Sequence, residues 1–106
     1  MSPGELQNKV VAMAGEIENE MRRVGLWSSK APSPEQMAFK KALAIDTMPF
    51  SMWLQFIFIP RVHQAAAANQ FPSSSSVGAQ AVREFDTVPN TERLLSLLSE
   101  FDALFE

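Results

Sequence analysis

The sequence predicts an all-α fold, an up-and-down bundle of four main helices plus a short one, with the central helix kinked at Pro60. Three observations predict it. Apolar residues recur every three or four positions near both ends of the chain, no segment is convincing as a strand, and an alanine run follows the most apolar segment. A length of 106 residues with 46% hydrophobic residues is typical of one core, so we expect a single helical domain over residues 1–106.

The first segment, ELQNKVVAMAGEIENEMRRVGLW, predicts a long helix over about residues 4–24. Its apolar positions follow a helical spacing and form one stripe: Leu6, Val10, Met13, Ile17, Met21 and Val24. Gly25 stands just past this stripe and Leu26 follows it, a pattern typical of a left-handed C-cap closed by an apolar contact.

The next segment predicts a short helix that begins at Pro34 and extends to about residue 44. Ser33 and Gln36 form a capping-box pattern around a proline at the first helical position. Asp46 and Thr47 then indicate another helix start.

The third helix is predicted over about residues 48–69. Between Phe50 and Ile59 only Ser51 and Gln55 are polar, and the alanine run that follows favours a helix over a strand. We therefore expect this helix to be apolar nearly all round and buried at the centre of the bundle.

Two further helices are predicted after the loop QFPSSSSVG. The spacing of Ala79, Val82 and Phe85 indicates a short one that ends near Asp86. The last one covers about residues 91–104 and carries a wide stripe of leucine and phenylalanine, with Glu100 among its solvent-facing residues.

The central segment DTMPFSMWLQFIFIPRVH contains the candidate functional residues. Pro60 lacks the N–H that would bond the Phe56 carbonyl, which predicts either a bend that curves the helix or a pocket lined by exposed backbone. Gln55 is the only amide in an apolar run, so it is either a satisfied buried amide or a ligand contact. Trp53 lies on nearly the opposite side of the same helix.

Arg61 follows Pro60 directly, and His63 lies two residues further along the chain. The Arg61 guanidinium can pair with an internal carboxylate, Asp46 or one on the acidic last helix, or it can recognise an external anion or a partner protein. His63 has no further histidines or carboxylates at metal-ligand spacing, and no activated nucleophile beside it, so a structural or surface role is the simpler interpretation.

Composition excludes several classes of function. The absence of cysteine removes disulfides, thiolate metal sites and a cysteine nucleophile, and it fits the reducing cytoplasm that we take as the expected location. The net charge of −3 disfavours direct nucleic-acid binding.

The polar start lacks a signal-peptide pattern, and the apolar run is too short to cross a membrane. Phosphate-loop, dinucleotide and acyl-transfer motifs are missing, so we expect no enzyme, no cofactor and no metal.

The same central segment resembles the YqcC-like family of small bacterial proteins. The resemblance rests on DTM, then WLQ, then IPR-x-H at this spacing, and on the DALF phrase near the C-terminus. It implies a helical bundle without an established activity. Members are often encoded beside RNA-modification enzymes, notably a tRNA pseudouridine synthase, which implies an accessory or regulatory partner.

We therefore expect a non-enzymatic protein-binding module, with Asp46, Trp53, Gln55, Arg61 and His63 as candidate binding residues. The alternative is a small-ligand-binding bundle with a pocket near the Pro60 kink. Homodimerisation through an apolar face of the last helix stays open.

Overall fold

The computed structural model describes residues 2–106, and only Met1 lies outside it. Within these residues the chain forms helices and no strand, which confirms the all-α prediction. The helices are α1 (Pro3–Arg23), α2 (Pro34–Met37), α3 (residues 50–68), α4 (Val77–Glu84) and α5 (Glu92–Ala103), with a 3₁₀ turn at Ala42–Ala44. Helix α3 is continuous through three segments, Phe50–Trp53, a π-helical turn at Leu54–Phe58, and Ile59–Ala68.

The main helices run up and down, as predicted. The start of α1 contacts the end of α3, where the Gln7 amide donates to the Ala66 carbonyl. The segment after α1 contacts the early part of α3 through Ser28 and Gln55. Helix α1 also packs on α5, and α4 lies antiparallel on α5.

The core lies where α1, α3 and α5 meet. Its largest fully buried side chains come from these three helices: Val10, Ile17, Met21, Leu54, Leu94 and Leu98. Burying a side chain of this size contributes about 1.5–3 kcal/mol, so the packing of these helices dominates the stability of the fold.

The C-terminus of α1 has the predicted left-handed cap. Gly25 adopts φ +80°, and the Leu26 N–H donates to the Met21 carbonyl at 2.9 Å. Leu26 is half-buried against the core. A hydrogen bond that spans five residues, a positive φ and an apolar closing contact are the features of a Schellman motif.

Helix α2 is shorter than predicted. The capping box of Ser33 and Gln36 is present, but the helix ends at Met37 rather than near residue 44. The chain then turns sharply, because Leu43 (φ 61°) and Ala44 (φ 53°) both adopt left-handed backbone conformations. Such conformations are costly for residues other than glycine and persist only where the surrounding structure enforces them.

Helix α3 begins at Phe50, two residues after the predicted start, and ends at Ala68 before the left-handed Asn69 (φ 51°). Its first half is buried on most sides, as predicted. The prediction is wrong for the second half, where Arg61 and His63 are exposed. Neighbouring helices cover only the face formed by Ile59, Val62 and Ala66 there, so this half is amphipathic.

Helices α4 and α5 lie close to their predicted bounds. Of the three residues whose spacing indicated α4, Phe85 is buried, whereas Ala79 is exposed and Val82 is 53% exposed. Val77, Gly78 and Ala81 are buried instead. Helix α5 buries its leucine stripe and leaves Glu100 in solvent, as predicted.

Candidate functional site

The five candidate residues do not converge on one site. The side chains of Asp46, Trp53 and Gln55 are engaged in contacts that hold the fold together. Those of Arg61 and His63 are exposed on the second half of α3. The motif therefore combines a structural part with a surface part.

Gln55 is a satisfied buried amide. Its Oε1 accepts the Ser28 N–H at 2.7 Å and its Nε2 donates to the Ser28 carbonyl at 2.8 Å. Next to Ser28, the Arg22 guanidinium carbon lies 4.6 Å from the centroid of the Trp27 ring, a cation–π contact. Gln55 thus fixes the segment that follows α1 against α3, and both polar ends of its amide are used.

The turn that contains Gln55 also accommodates Pro60. In the π-helical turn the Ile59 N–H bonds the Leu54 carbonyl, five residues back. A wider turn just before the proline relieves the crowding that a proline ring causes inside an α-helix. The irregularity that Pro60 predicts is therefore a local widening, through which α3 continues as one helix.

Asp46 and Thr47 hold the strained turn before α3 rather than starting a helix. The Asp46 carboxylate accepts the N–H groups of Lys40 (3.1 Å) and Lys41 (3.4 Å). The Thr47 hydroxyl donates to the Gln36 carbonyl at 2.6 Å. Hydrogen bonding from the Lys40 N–H lowers the pKa of Asp46, because it stabilises the carboxylate.

Trp53 begins a chain of aromatic contacts through the core. It stacks on Phe50 with ring centroids 5.5 Å apart and lies 5.6 Å from Phe58. Phe58 contacts Phe101, and Phe101 contacts Phe105, both at 5.2 Å. At 8% exposure Trp53 is a packing residue.

Arg61 has neither of the internal partners that the sequence suggested. Asp46 is bound to backbone N–H groups elsewhere, and the ion pairs among residues 2–106 join Arg22 to Glu18 and Arg23 to Glu20. The prediction of a structural ion pair for Arg61 is therefore wrong for the described residues.

His63 is exposed one turn from Ile59. Among residues 2–106 no group of three or more histidine, cysteine, aspartate or glutamate side chains is placed to hold a metal ion.

Two depressions flank Arg61. The first, here called the apolar cavity, has a volume of about 220 Å³. It lies between α1, α3, α5 and the loop at residues 69–76 that joins α3 to α4, here called the serine loop. Its lining is Val10, Phe58, Arg61, Val62, Ala65, Phe71, Pro72, Ser74, Ser75, Phe101 and Phe105. The second, here called the α2 groove, is wider and more open, with a volume of about 370 Å³. Its lining is Met37, Phe39, Phe56, Ile57, Pro60, Arg61 and Gln64.

Sequence reasoning missed the role of Asp102. One carboxylate oxygen accepts the Ser75 hydroxyl (2.5 Å) and the Val77 N–H (3.0 Å), and the other accepts the Gly78 N–H at 2.7 Å. The DALF phrase, which carries the family resemblance, was the available signal. What it could not reveal was that the partners lie 24 to 27 residues earlier in the chain.

Within residues 2–106, no helix has both the length and the apolar character needed to cross a bilayer.

Comparison with known proteins gives one family. The model of the DUF446 family, described as tRNA pseudouridine synthase C, matches residues 9–104. The uncharacterised protein YqcC of Escherichia coli K12 is 30% identical over 91 residues, which cover 84% of each chain. An uncharacterised protein of Haemophilus influenzae is 24% identical over 99 residues, 90% of this chain and 93% of that protein.

Two further comparisons concern a structure and a longer protein. The solution NMR structure of YqcC from E. coli matches with a TM-score of 0.83 and 26% identity, and the match covers 94% of this chain and 87% of that one. A protein named tRNA pseudouridine synthase C, from Pectobacterium carotovorum, is 32% identical over 57 residues. These residues are 54% of this chain but only 15% of that protein. Since the family model spans nearly the whole chain and the bundle matches that of YqcC, this protein belongs to the DUF446 family, to which the YqcC resemblance of its central motif pointed.

Proposed function

We propose that this protein is a non-enzymatic accessory module of the cytoplasm that binds a tRNA-modifying enzyme, with tRNA pseudouridine synthase C as the partner. The observation that carries the proposal is the 57-residue likeness within the Pectobacterium protein of that name. The likeness occupies 15% of that protein, so most of its length lies outside the part that this chain resembles. In the Pectobacterium protein the similar segment is covalently attached to the rest of that protein, and such attachment raises the effective concentration of a weak binder. A separate chain would need a surface with its own affinity for the enzyme.

The surface around Arg61 supports this proposal. Here called the docking face, it consists of the α2 groove together with His63. Met37 is 47% exposed at its edge, and Phe39 and Phe56 are only partly buried. An apolar centre with a polar and cationic rim has the anatomy of a protein interface, and aromatic and arginine side chains are enriched among residues that dominate binding.

The acidic residues of the candidate motifs are already used in the fold. Asp46 binds the Lys40 and Lys41 N–H groups, and Asp102 binds the start of α4. The linings of the apolar cavity and the α2 groove contain no aspartate or glutamate. General acid–base catalysis needs a positioned proton donor or acceptor in a cleft, so the arrangement favours binding over catalysis.

The test is direct binding between the purified chain and tRNA pseudouridine synthase C of the same organism, measured by isothermal titration calorimetry. We expect a saturable complex, and we expect Met37→Glu to weaken it at least about tenfold, because a charge replaces an exposed apolar contact. Met37 is half-exposed, so the melting temperature should stay within a few degrees of the original.

The matched control is Val82→Glu. Val82 is similarly exposed but lies on α4, outside both depressions. Its substitution should leave affinity unchanged. The proposed partner is wrong if the two proteins do not associate at tens of micromolar, and the proposed face is wrong if both substitutions weaken binding equally.

A further inference from the structure

We propose that the apolar cavity binds a small amphiphilic carboxylate, whose chain or ring enters the cavity and whose carboxylate pairs with Arg61. This site is separate from the docking face in all its lining residues except Arg61. The inference does not depend on the proposed enzyme partner.

The size and walls of the cavity set the apolar part of the ligand. Its volume of about 220 Å³ exceeds the roughly 150 Å³ of an engineered apolar cavity that holds benzene. Four phenylalanines line it, in contacting pairs: Phe58 with Phe101 (5.2 Å between centroids) and Phe71 with Phe105 (5.9 Å). A medium-length alkyl chain or a single aromatic ring fits this volume, and the rings favour apolar contact over a polar group.

The charges around the cavity set the head group. Arg61 lines the mouth and forms no ion pair among residues 2–106. Its guanidinium can bind a carboxylate with two parallel hydrogen bonds, and no aspartate or glutamate of the lining competes for it. A cationic ligand would instead meet the like charge of Arg61. The ligand is therefore anionic at the end that faces solvent.

An acidic side chain that contacts the lining, Asp102, is hydrogen-bonded to partners other than Arg61. Asp102 accepts the hydroxyl of Ser75, which lines the cavity, and the N–H groups of Val77 and Gly78. These bonds tie Asp102 to the start of α4 and leave Arg61 for an external anion. They also fix the end of the serine loop, whose earlier part carries Phe71 over the cavity.

The serine loop supplies part of the wall of this partly open site. Four of its residues line the cavity: Phe71, Pro72, Ser74 and Ser75. Helices α1, α3 and α5 supply the other walls through Val10, Val62 and Phe101. A depression with mostly apolar walls and a few polar groups is typical of small-molecule sites, which in helical bundles lie between the helices.

The test uses octanoate as the probe, titrated into the full chain and followed by two-dimensional ¹H–¹⁵N NMR. We expect saturable shifts concentrated at Phe58, Ala65, Phe101 and Phe105. Octanol, which has the same chain without the charge, should bind about tenfold more weakly, and Arg61→Gln should weaken octanoate by a similar factor. Ala65 is partly buried and lines the cavity, so Ala65→Leu, which fills the cavity, should remove the saturable shifts.

Each contrary result overturns a stated part of the proposal. Shifts that do not saturate below about ten millimolar, or that fall away from the lining residues, exclude the site. If octanol binds as tightly as octanoate, or if Arg61→Gln binds octanoate as tightly as the unmodified chain does, the site does not recognise a carboxylate and is an apolar cavity only. Undiminished binding by a folded Ala65→Leu places the ligand elsewhere; if that variant fails to fold, the location of the shifts in the unmodified chain decides.

The two proposals fail separately. Met37→Glu should bind octanoate as the unmodified chain does, and Ala65→Leu should bind the synthase as the unmodified chain does. If Met37→Glu and Ala65→Leu each lose both octanoate binding and synthase binding, the cavity and the docking face form one site, and the proposal that the cavity is independent is wrong.

Discussion

Asp102, near the end of α5, accepts the Gly78 N–H at 2.7 Å and thereby caps α4 from the neighbouring helix. The residue at the N-cap position of α4, Ser76, makes no side-chain capping bond. The other oxygen of Asp102 accepts the Val77 N–H, so two of the free N–H groups at this helix start are satisfied by one carboxylate. The N-terminal cap of α4 thus comes from a neighbouring helix, because Ser76 at the N-cap position does not provide it.

Asp102→Ala should lower the free energy of unfolding by about 1–3 kcal/mol. The lower limit is the loss of a helix cap, and the upper limit adds the lost bond to the Ser75 hydroxyl. Urea denaturation followed by circular dichroism measures the change. Asp86→Ala is the matched control, because Asp86 is exposed and its side chain makes no hydrogen bond among the described residues. If both substitutions have the same effect, Asp102 is not a cap.

Gly78→Ala should destabilise the protein, although alanine is the better helix former. A Cβ at Gly78 would lie 2.9 Å from the backbone N and Cα of Ser99, and backbone atoms cannot move aside cheaply. We expect a loss of about 1–3 kcal/mol, as for other overpacked sites. Thermal unfolding provides the measurement.

Gly15→Ala on α1 is the control for Gly78→Ala. A Cβ at Gly15 meets nothing within 4 Å, and the residue is exposed within a helix. This substitution should stabilise the protein by about 0.5–1 kcal/mol. A loss of stability for Gly78→Ala together with a gain for Gly15→Ala would confirm that the close packing of α4 on α5 causes the destabilisation. Stabilisation at both would show that the two helices are farther apart.

The elements that could be predicted from sequence are those fixed by local physics. Helix α1 has a regular apolar stripe and a glycine stop, and the capping box of α2 is formed by residues three apart. The strained turn after α2 could not be predicted in this way. Its left-handed residues, Leu43 and Ala44, carry no glycine signal, and the Asp46 side chain that binds the preceding N–H groups also resembles a helix start.

The candidate site was predictable in kind but not in arrangement. An amide in an apolar run must find partners, so the satisfied state of Gln55 follows from its chemistry. Its partner, Ser28, lies 27 residues away and is set by packing of the whole bundle. Likewise Pro60 predicts an irregular helix, but it does not predict that the irregularity is a widened turn at Leu54–Phe58.

Stability at low pH should depend on Glu20. A side-chain hydrogen bond from Arg23 lowers the pKa of this buried glutamate below its ordinary value of about 4.5. Because the folded pKa lies below the unfolded one, the stabilisation is present above the ordinary value and is lost as the pH falls through the folded pKa. The melting temperature should therefore fall more steeply below pH 4.5 in the unmodified chain than in Glu20→Gln.

Glu16→Gln controls for the general loss of negative charge at low pH. Glu16 is exposed on the same helix, and its side chain forms no hydrogen bond among the described residues. Its substitution should leave the acid dependence of the melting temperature unchanged. If Glu20→Gln and Glu16→Gln give the same profile, the Arg23 contact does not contribute to acid stability.

Gln55→Leu tests whether the central motif serves the fold. The substitution preserves apolar packing but leaves the Ser28 N–H and carbonyl without partners, so we expect a loss of about 1–3 kcal/mol in the free energy of unfolding. Gln55→Glu should also destabilise, because a carboxylate cannot donate to the Ser28 carbonyl. Gln64→Leu, at an exposed position of the same helix, should change stability by less than about 0.5 kcal/mol. Urea denaturation compares the three variants. If Gln55→Leu were as stable as Gln64→Leu and instead lost synthase binding, Gln55 would be a recognition residue, and the division of the motif into a structural and a surface part would be wrong.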